Sequence, residues 1–320
     1  MRDYRSYSFW LEDAGEALTP RPPLGSSTEV DVAILGGGYS GLWTAYYLLL
    51  HEPALRVAVV DKEIAGFGAS GRNGGWCSPN FSVTATGLEK RFGAEAARTL
   101  LLAMRAAVDE VGRVSSEENI DAQFHQGGVL TLARGVHQLP GIRSAYKAYE
   151  RLGLSDRYRL LSAEETAERI RVTRVHGALY TQDCASLHPA RLVRGLARAV
   201  EARGGVIYEQ TPVTRLKPAS LITPGGELRA KRAVVIAGEA YVTRLPCLHR
   251  TLLPVYSLIS LTEPLTAAQW AQIGWQGGES VSSTRNTVVY LTRTSDGRVL
   301  FGSRGAPYAF GSKITDEQDT

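Results

Sequence analysis

Asp31-Val32-Ala33-Ile34-Leu35-Gly36-Gly37-Gly38-Tyr39-Ser40-Gly41 is the stretch on which the fold turns. Its first five residues are a short apolar run that reads as a strand, and three glycines end it. Leu42, Ala45, Tyr46 and Leu49 then recur at helical spacing, and Pro53 breaks that pattern. A second apolar run, Val57-Ala58-Val59-Val60, stops at Asp61. Val30 to Asp61 therefore reads as strand, helix and parallel strand, the size of one βαβ unit.

Gly36 to Gly41 matches G-x-G-x-x-G at the place in such a unit where phosphates are held. Gly36 permits the tight turn, Gly38 lets a pyrophosphate approach the backbone, and Gly41 allows the helix to pack closely on the strand. The first-turn N–H groups around Tyr39 and Ser40 and the positive end of the helix complete the phosphate site. Asp61 stands 20 residues beyond Gly41 at the end of the second strand. There a carboxylate accepts hydrogen bonds from adenosine ribose hydroxyls and disfavours a 2′-phosphate. Lys62 follows it among the candidate cofactor contacts. The fingerprint points to NAD or FAD and does not choose between them.

Outward from this unit, the chain is 320 residues long, enough for two domains or one large one. With 44% hydrophobic and 21% charged residues it has ordinary globular composition, which excludes disorder and fibrous repeats. Lys and Arg exceed Asp and Glu by only four, with the signs interleaved, so no nucleic-acid footprint is expected. Cys77, Cys184 and Cys247 are odd in number and widely spaced, which suggests neither disulfides nor a metal site and fits a reducing compartment. The longest apolar stretch, Leu42 to Leu50, is too short to cross a bilayer, so no membrane is expected and a cytoplasmic protein is. Oligomeric state has no signature here.

Residues 1–28 form a polar, Pro-rich lead-in expected to lie extended over the surface. Helical patterns cover 94–114, 141–152, 163–170 and a segment opened by Pro189, in which Leu192, Leu196 and Val200 repeat before Gly204-Gly205. Strand-like runs fall at 127–132, 177–181, 206–208, 213–216, 233–237, 254–261, 287–293 and 298–302. Two βα-like portions flank a mixed one. The expectation is an α/β protein: a discontinuous Rossmann-like cofactor domain from 29–85 and 187–250, and an α+β substrate domain from 86–186 and 251–320.

Gly68-Ala69-Ser70-Gly71-Arg72-Asn73-Gly74-Gly75-Trp76 follows the second strand, and this run resembles the FAD-dependent amine and amino-acid oxidoreductases of the D-amino-acid oxidase superfamily. The branch containing gamma-glutamylputrescine oxidoreductase is the most similar. Further matching segments are Ser8-Phe9-Trp10, Leu187 to Val193, Thr262-Glu263-Pro264-Leu265 and Asp296 to Gly302. The resemblance implies FAD as cofactor and a substrate domain on a largely antiparallel sheet. It implies that Ser70, Arg72, Asn73, Gly74 and Gly75 wrap the diphosphate and reach the flavin edge, as arginine donors and bare glycine backbone suit. It implies that Val213 pairs its backbone with the adenine and that Ala237 and Gly238 close over the cofactor, although Glu239 stands where the family often has Thr or Asn.

The implied activity is oxidation of the C–N bond of a small-molecule amine or amino-acid-like substrate, with gamma-glutamylputrescine a candidate. Hydride would pass to flavin N5, and the imine would then hydrolyse. No catalytic base is demanded if the amine binds neutral. Tyr241, Tyr256 and Tyr290 are candidates for an aromatic wall facing the substrate cation. Cys77 reads as a small buried hydrophobe and His188 as a helix cap. Relatives normally continue past Thr320 into a last strand-turn-helix portion under the flavin, so that portion is expected to be missing from this sequence. An NAD-dependent dehydrogenase and a catalytically silent dinucleotide-binding fragment are the alternatives; the first gives no account of residues 68–76.

Overall fold

The computed structural model describes residues 2–284 and 289–304. Thr28–Leu35 and Val57–Val60 form parallel strands joined through the helix Tyr39–His51, as the apolar runs and the glycine turn require. They lie inside a six-stranded sheet ordered Val206–Tyr208, Val57–Val60, Thr28–Leu35, Gly226–Ile236, Ser220–Thr223, Arg215–Lys217. The first four strands are parallel and the last two continue as an antiparallel meander.

Both faces of the sheet are covered at its centre, which is why Val32-Ala33-Ile34-Leu35 and Val57–Val60 are apolar at every position rather than alternately. Val32, Ile34, Val57 and Val59 point one way, into a core shared with Leu42, Tyr46 and Leu49 of the first helix and Val193, Leu196 and Val200 of the helix Pro189–Ala202. Ala33, Ala58 and Val60 point the other way and pack on Leu24, Leu221 and Leu228 of the meander side. The Leu192, Leu196, Val200 repeat is buried along its whole length.

A seven-stranded sheet is ordered Ser257–Leu261, Val299–Arg304, Val289–Arg293, Ser280–Ser283, Val129–Ala133, Gly177–Thr181, Tyr158–Leu161. All its pairings are antiparallel except that of Ser280–Ser283 with Val129–Ala133. The first sheet thus draws strands only from 28–60 and 206–236, and the second only from 129–181 and 257–304. Between them a short antiparallel pair, Trp76–Cys77 with Ala185–Ser186, carries the glycine-rich loop.

Several expectations are corrected. The lead-in is not extended throughout: Tyr4–Tyr7 is a 3-10 turn, Phe9–Glu12 a helical turn capped by Ser8, and residues 13–27 run without helix or strand, turning at 13–16. Tyr4, Trp10 and Leu11 are buried against Ile64, Phe67 and Ala190, because four aromatics within seven residues are worth more in a core than in water. The strand expected at 213–216 starts at Arg215, and Ser220–Thr223 was not foreseen, since its hairpin partner Gly226–Ile236 carries four charged residues, Glu227, Arg229, Lys231 and Arg232. The helices Ala85–Phe92 and Ala267–Ile273 and the strand Ser280–Ser283 are further additions. Of the strand expected at 287–293, Val289–Arg293 is present; 287 and 288 lie outside the described residues.

Candidate cofactor site

The glycine turn is built by contacts that leave no room for side chains. Gly36 has φ +112°, and a Cβ there would stand 2.4 Å from the Ala237 carbonyl oxygen on the neighbouring strand. A Cβ on Gly41 would stand 2.0 Å from the Gly36 oxygen, so the helix rests directly on the turn. Gly38, the N-cap of Tyr39–His51, provides no side-chain acceptor. One first-turn donor, Tyr39 N, goes to Ser70 Oγ at 2.9 Å; the others and the helix dipole suit an anion.

Asp61 leaves the second strand at the rim of a cavity of about 470 Å³. Its carboxylate accepts from Gly37 N at 2.7 Å and from Glu63 N at 2.8 Å. Enclosure by protein pushes its carboxyl up to about 6; the two backbone bonds pull the other way, and the nearby Glu209 and Glu63 charges add to the rise. Gly36, Lys62, Val213 and Gly238 line the same cavity, with Pro212, Val242, Leu245 and Pro246 supplying apolar wall. Ala237 sits behind it, against Gly36. A cavity with a carboxylate at one edge, apolar walls beyond and a bare glycine turn at the other end fits an adenine dinucleotide.

Loop 68–76 is held from several sides. Trp10 Nε1 donates to Asn73 O at 2.7 Å, Thr292 Oγ1 to Gly74 O at 3.1 Å, and Leu187 N to Gly75 O at 2.8 Å. The Asn73 side chain closes the loop on itself: its amide donates to Ala69 O and Ser70 O and its oxygen accepts from Gly75 N. Arg72 lies 4.5 Å over the Phe67 ring and donates to Tyr241 Oη at 3.1 Å. Ser70 and Gly38 approach closely, a Cβ on Gly38 falling 2.8 Å from Ser70 Oγ.

The three candidate substrate tyrosines separate. Tyr241 lines the cavity beside Asp61 and Gly68, among the residues expected around the cofactor. Tyr290 lies across Gly74 and Gly302, where added Cβ atoms would come within 2.1 and 2.0 Å of its ring, and meets Trp76 edge to face at 5.5 Å. Tyr256 precedes the strand Ser257–Leu261 and does not line the cavity.

Other residues were not singled out in the sequence. Glu63, Phe67, Thr214 and Arg244 line the cavity. Glu209, fully buried, accepts from Arg21 N at 2.7 Å, Arg21 Nη1 at 2.8 Å, Ala65 N at 2.8 Å and Arg194 Nη1 at 3.3 Å, and so pins the segment after Asp61 to the lead-in. A lone Glu among interleaved charges carries no signal of this. His188 caps its helix, its Nδ1 accepting from Arg191 N at 3.2 Å. Burial pushes the Cys77 thiol up to about 12, which suits packing and not nucleophilic chemistry. No group of three or more His, Cys, Asp or Glu among the described residues could hold a metal ion.

Comparison with known proteins places the chain among flavin-dependent enzymes. A family model described as FAD dependent oxidoreductase matches residues 31–320. Gamma-glutamylputrescine oxidoreductase of Escherichia coli (strain K12) is 31% identical over 300 residues, covering 92% of this chain and 69% of that protein. Among solved structures, glycine oxidase from Geobacillus kaustophilus superposes with a TM-score of 0.66 at 23% identity, covering 88% of this chain and 73% of its own. L-proline dehydrogenase from P. horikoshii superposes with a TM-score of 0.67 at 19% identity, covering 88% and 70%. At these identities the superpositions speak for the fold.

Proposed function

The chain belongs to the FAD dependent oxidoreductase family, and on that premise we propose that it oxidises the carbon–nitrogen bond of a primary or secondary amine, a gamma-glutamylated polyamine being the first substrate to try. FAD is the cofactor of this family, so the NAD-dependent alternative loses its footing. What supports the assignment of residues is the meeting of Gly36, Asp61, Lys62, Val213 and Gly238 around one cavity beside the open end of a helix. The polyamine rests on the name of a relative alone.

In this reading the six-stranded sheet and its helices form the cofactor unit and the seven-stranded sheet the substrate unit. Asp61 accepts the adenosine ribose hydroxyls with lone pairs not used by Gly37 and Glu63. The first turn of Tyr39–His51 and the guanidinium of Arg72 take the diphosphate, while Gly74 and Gly75, whose Cβ positions are filled by Tyr290 and the Leu187 carbonyl, would offer the ring only a backbone edge. Bound FAD supplies the hydride acceptor. The chain's own task is to orient the amine carbon, exclude water and keep the nitrogen unprotonated; Trp76 and Tyr290 form an aromatic wall suited to it, and Tyr241 moves to the cofactor side. The imine leaves the carbon two electrons poorer and is hydrolysed by water. A cytoplasmic site of action agrees with three unpaired cysteines, and no helix among the described residues is long and apolar enough to cross a membrane.

Purified chain supplied with FAD should take up the flavin, shown by its absorbance, and a panel of amines should bleach it anaerobically. A colourless protein that stays colourless overturns the cofactor assignment; bound flavin that no amine reduces leaves a dinucleotide-binding protein without this chemistry.

A further inference from the structure

We propose that Ser282 and Thr131 are specificity-determining residues, a hydroxyl pair beside the aromatic wall that binds an uncharged amide of the substrate. This deepens the amine-oxidation reading above and rests on it. Strand register sets Gly302, Tyr290, Ser282, Thr131 and Leu179 opposite one another in a single row across the second sheet. Residues directly opposite share a face, and Thr131 Oγ1 and Ser282 Oγ lie 3.3 Å apart on it. This face meets loop 68–76, since Tyr290 covers Gly74 and touches the Trp76 ring. The other face of the same strands, with Leu130, Val281 and Leu291, packs into a core around Trp270 and Trp275.

The row is open where its neighbour is closed. Thr292, Ser280 and Val129, one pleat along, are buried, whereas Tyr290, Ser282 and Thr131 are half-buried. The Tyr290 ring lies over Gly302, on the strand away from Ser282, so it walls the row without covering the hydroxyls. A hydrogen bond between two hydroxyls uses one proton, which leaves the pair one proton to donate and lone pairs to accept with. An amide offers the matching carbonyl oxygen and N–H. Thr284 Oγ1, two residues beyond Ser282 and so on the same face, is buried with no hydrogen-bond partner among the described residues, which gives the strip more hydroxyl capacity than its own partners take up. None of these row residues is charged, so a carboxylate placed on the row finds no counter-charge among them, and a free amino acid is the poorer fit. Adjacent strands stand about 4.8 Å apart, which sets the pair about 5 to 10 Å from Tyr290. The substrate class is an amine with an amide at that remove, an N-acylated diamine.

The test uses the full chain loaded with FAD and follows anaerobic bleaching by probes of matched length: N-acetylputrescine, heptylamine, which lacks the amide, and 6-aminohexanoate, which carries a carboxylate in its place. N-acetylputrescine should half-saturate at a concentration about tenfold below that for 6-aminohexanoate. Ser282→Ala and Thr131→Val should each raise the N-acetylputrescine value about fivefold to tenfold, leaving the heptylamine value and the limiting bleaching rate in place, and Thr131→Ser should restore the wild-type figure. A thermal scan and the flavin absorbance verify that the variants fold and keep FAD; Ser282→Ala carries the test should Thr131→Val fail to fold. Equal weakening for N-acetylputrescine and heptylamine would overturn the proposal in favour of hydroxyls that only pack the sheet, and unchanged half-saturation in the variants would overturn it outright. A wild-type preference for 6-aminohexanoate, or bleaching by glycine and by none of these probes, rejects the uncharged amide. Bound flavin that no amine reduces would sink the amine-oxidation reading itself, an outcome distinct from the others.

Discussion

Asp61→Asn separates the needs of the folded chain from those of the cofactor. The Asp61 carboxyl titrates near 6 when folded, against an ordinary 3.8. The folded chain therefore binds this proton more tightly than the unfolded chain. The resulting stabilisation is fully present below about pH 4 and is lost as pH rises through about 6. At 1.36 kcal/mol per pH unit, the charged carboxylate makes the cofactor-free fold roughly 3 kcal/mol less stable at pH 7 than at pH 3. Asparagine cannot ionise, so it escapes that cost, but its single oxygen can accept from only one of Gly37 N and Glu63 N, which returns about 1–2 kcal/mol. Flavin-free Asp61→Asn should thus be about 1–2 kcal/mol more stable than wild type at pH 7, or about 2–8 °C in melting temperature. It should also lack the wild-type decline between pH 4 and 7. Flavin binding should move oppositely, since ribose hydroxyls donate best to a charged acceptor: wild-type affinity falls from pH 7 to 5, and the variant binds weakly at both. Thermal scans and fluorescence titrations across that range measure both. A variant melting below wild type at pH 7 with the same pH slope would refute the reasoning, because Asp61 would then be a structural anchor with an ordinary carboxyl.

Gly41→Ala places a methyl 2.0 Å from the Gly36 carbonyl and must lift the helix off the turn; we expect about 3 kcal/mol lost in a urea melt and flavin binding abolished. Glu209→Leu leaves the backbone N–H groups of Arg21 and Ala65 without an acceptor and takes one of two carboxylate partners from the Arg21 and Arg194 guanidiniums, which keep Glu201 and Glu16, for about 3–5 kcal/mol, whereas Arg2→Ala, which breaks a half-exposed pair with Glu63, should cost under about 1 kcal/mol. Glu239→Asn puts a residue tolerant of the left-handed region at φ +51° and should raise the unfolding free energy from a urea melt by about 0.5–1 kcal/mol, while Glu239→Ala should not.

The βαβ unit was legible because its signals are local: an apolar run, a turn only glycine can make, a helical repeat and an acid at fixed spacing all agree within about thirty residues. The buried repeat of the helix Pro189–Ala202 was legible for the same reason. What could not be read rests on partners far along the chain. Ser220–Thr223 is a strand because Gly226–Ile236 folds back beside it, and neither alternates cleanly. Trp10 looks like part of a surface lead-in until its indole is seen to meet Asn73, 63 residues away. Glu209 resembles any other charged residue until Arg21, from 188 positions earlier, closes on it. At the proposed site, Asp61 and Gly36 were candidates by their spacing, whereas Arg244, which lines the same cavity, has no such spacing to show, and Tyr241 was a substrate candidate only because an aromatic face suits a cation.

Loop 68–76 is held at one end by the helix Tyr39–His51 and at the other by a strand of the second sheet. Gly74 is bonded through its carbonyl to Thr292 and covered by Tyr290, both on the strand Val289–Arg293 of the second sheet. Trp76 Nε1 donates to the same Thr292 Oγ1 at 2.6 Å. Ser70, four residues before Gly74, is bonded to the first turn of the helix that opens the phosphate site. A displacement of Val289–Arg293 therefore moves Gly74, and through a loop whose Asn73 ties Ala69 and Ser70 together it reaches the donor at Tyr39. A hydroxyl that at once accepts from an indole and donates to a carbonyl has no isosteric apolar replacement: Thr292→Val keeps the shape but strands both partners in a buried place. Coupling of this kind would show as weaker flavin binding from a residue that lines no part of the cofactor cavity.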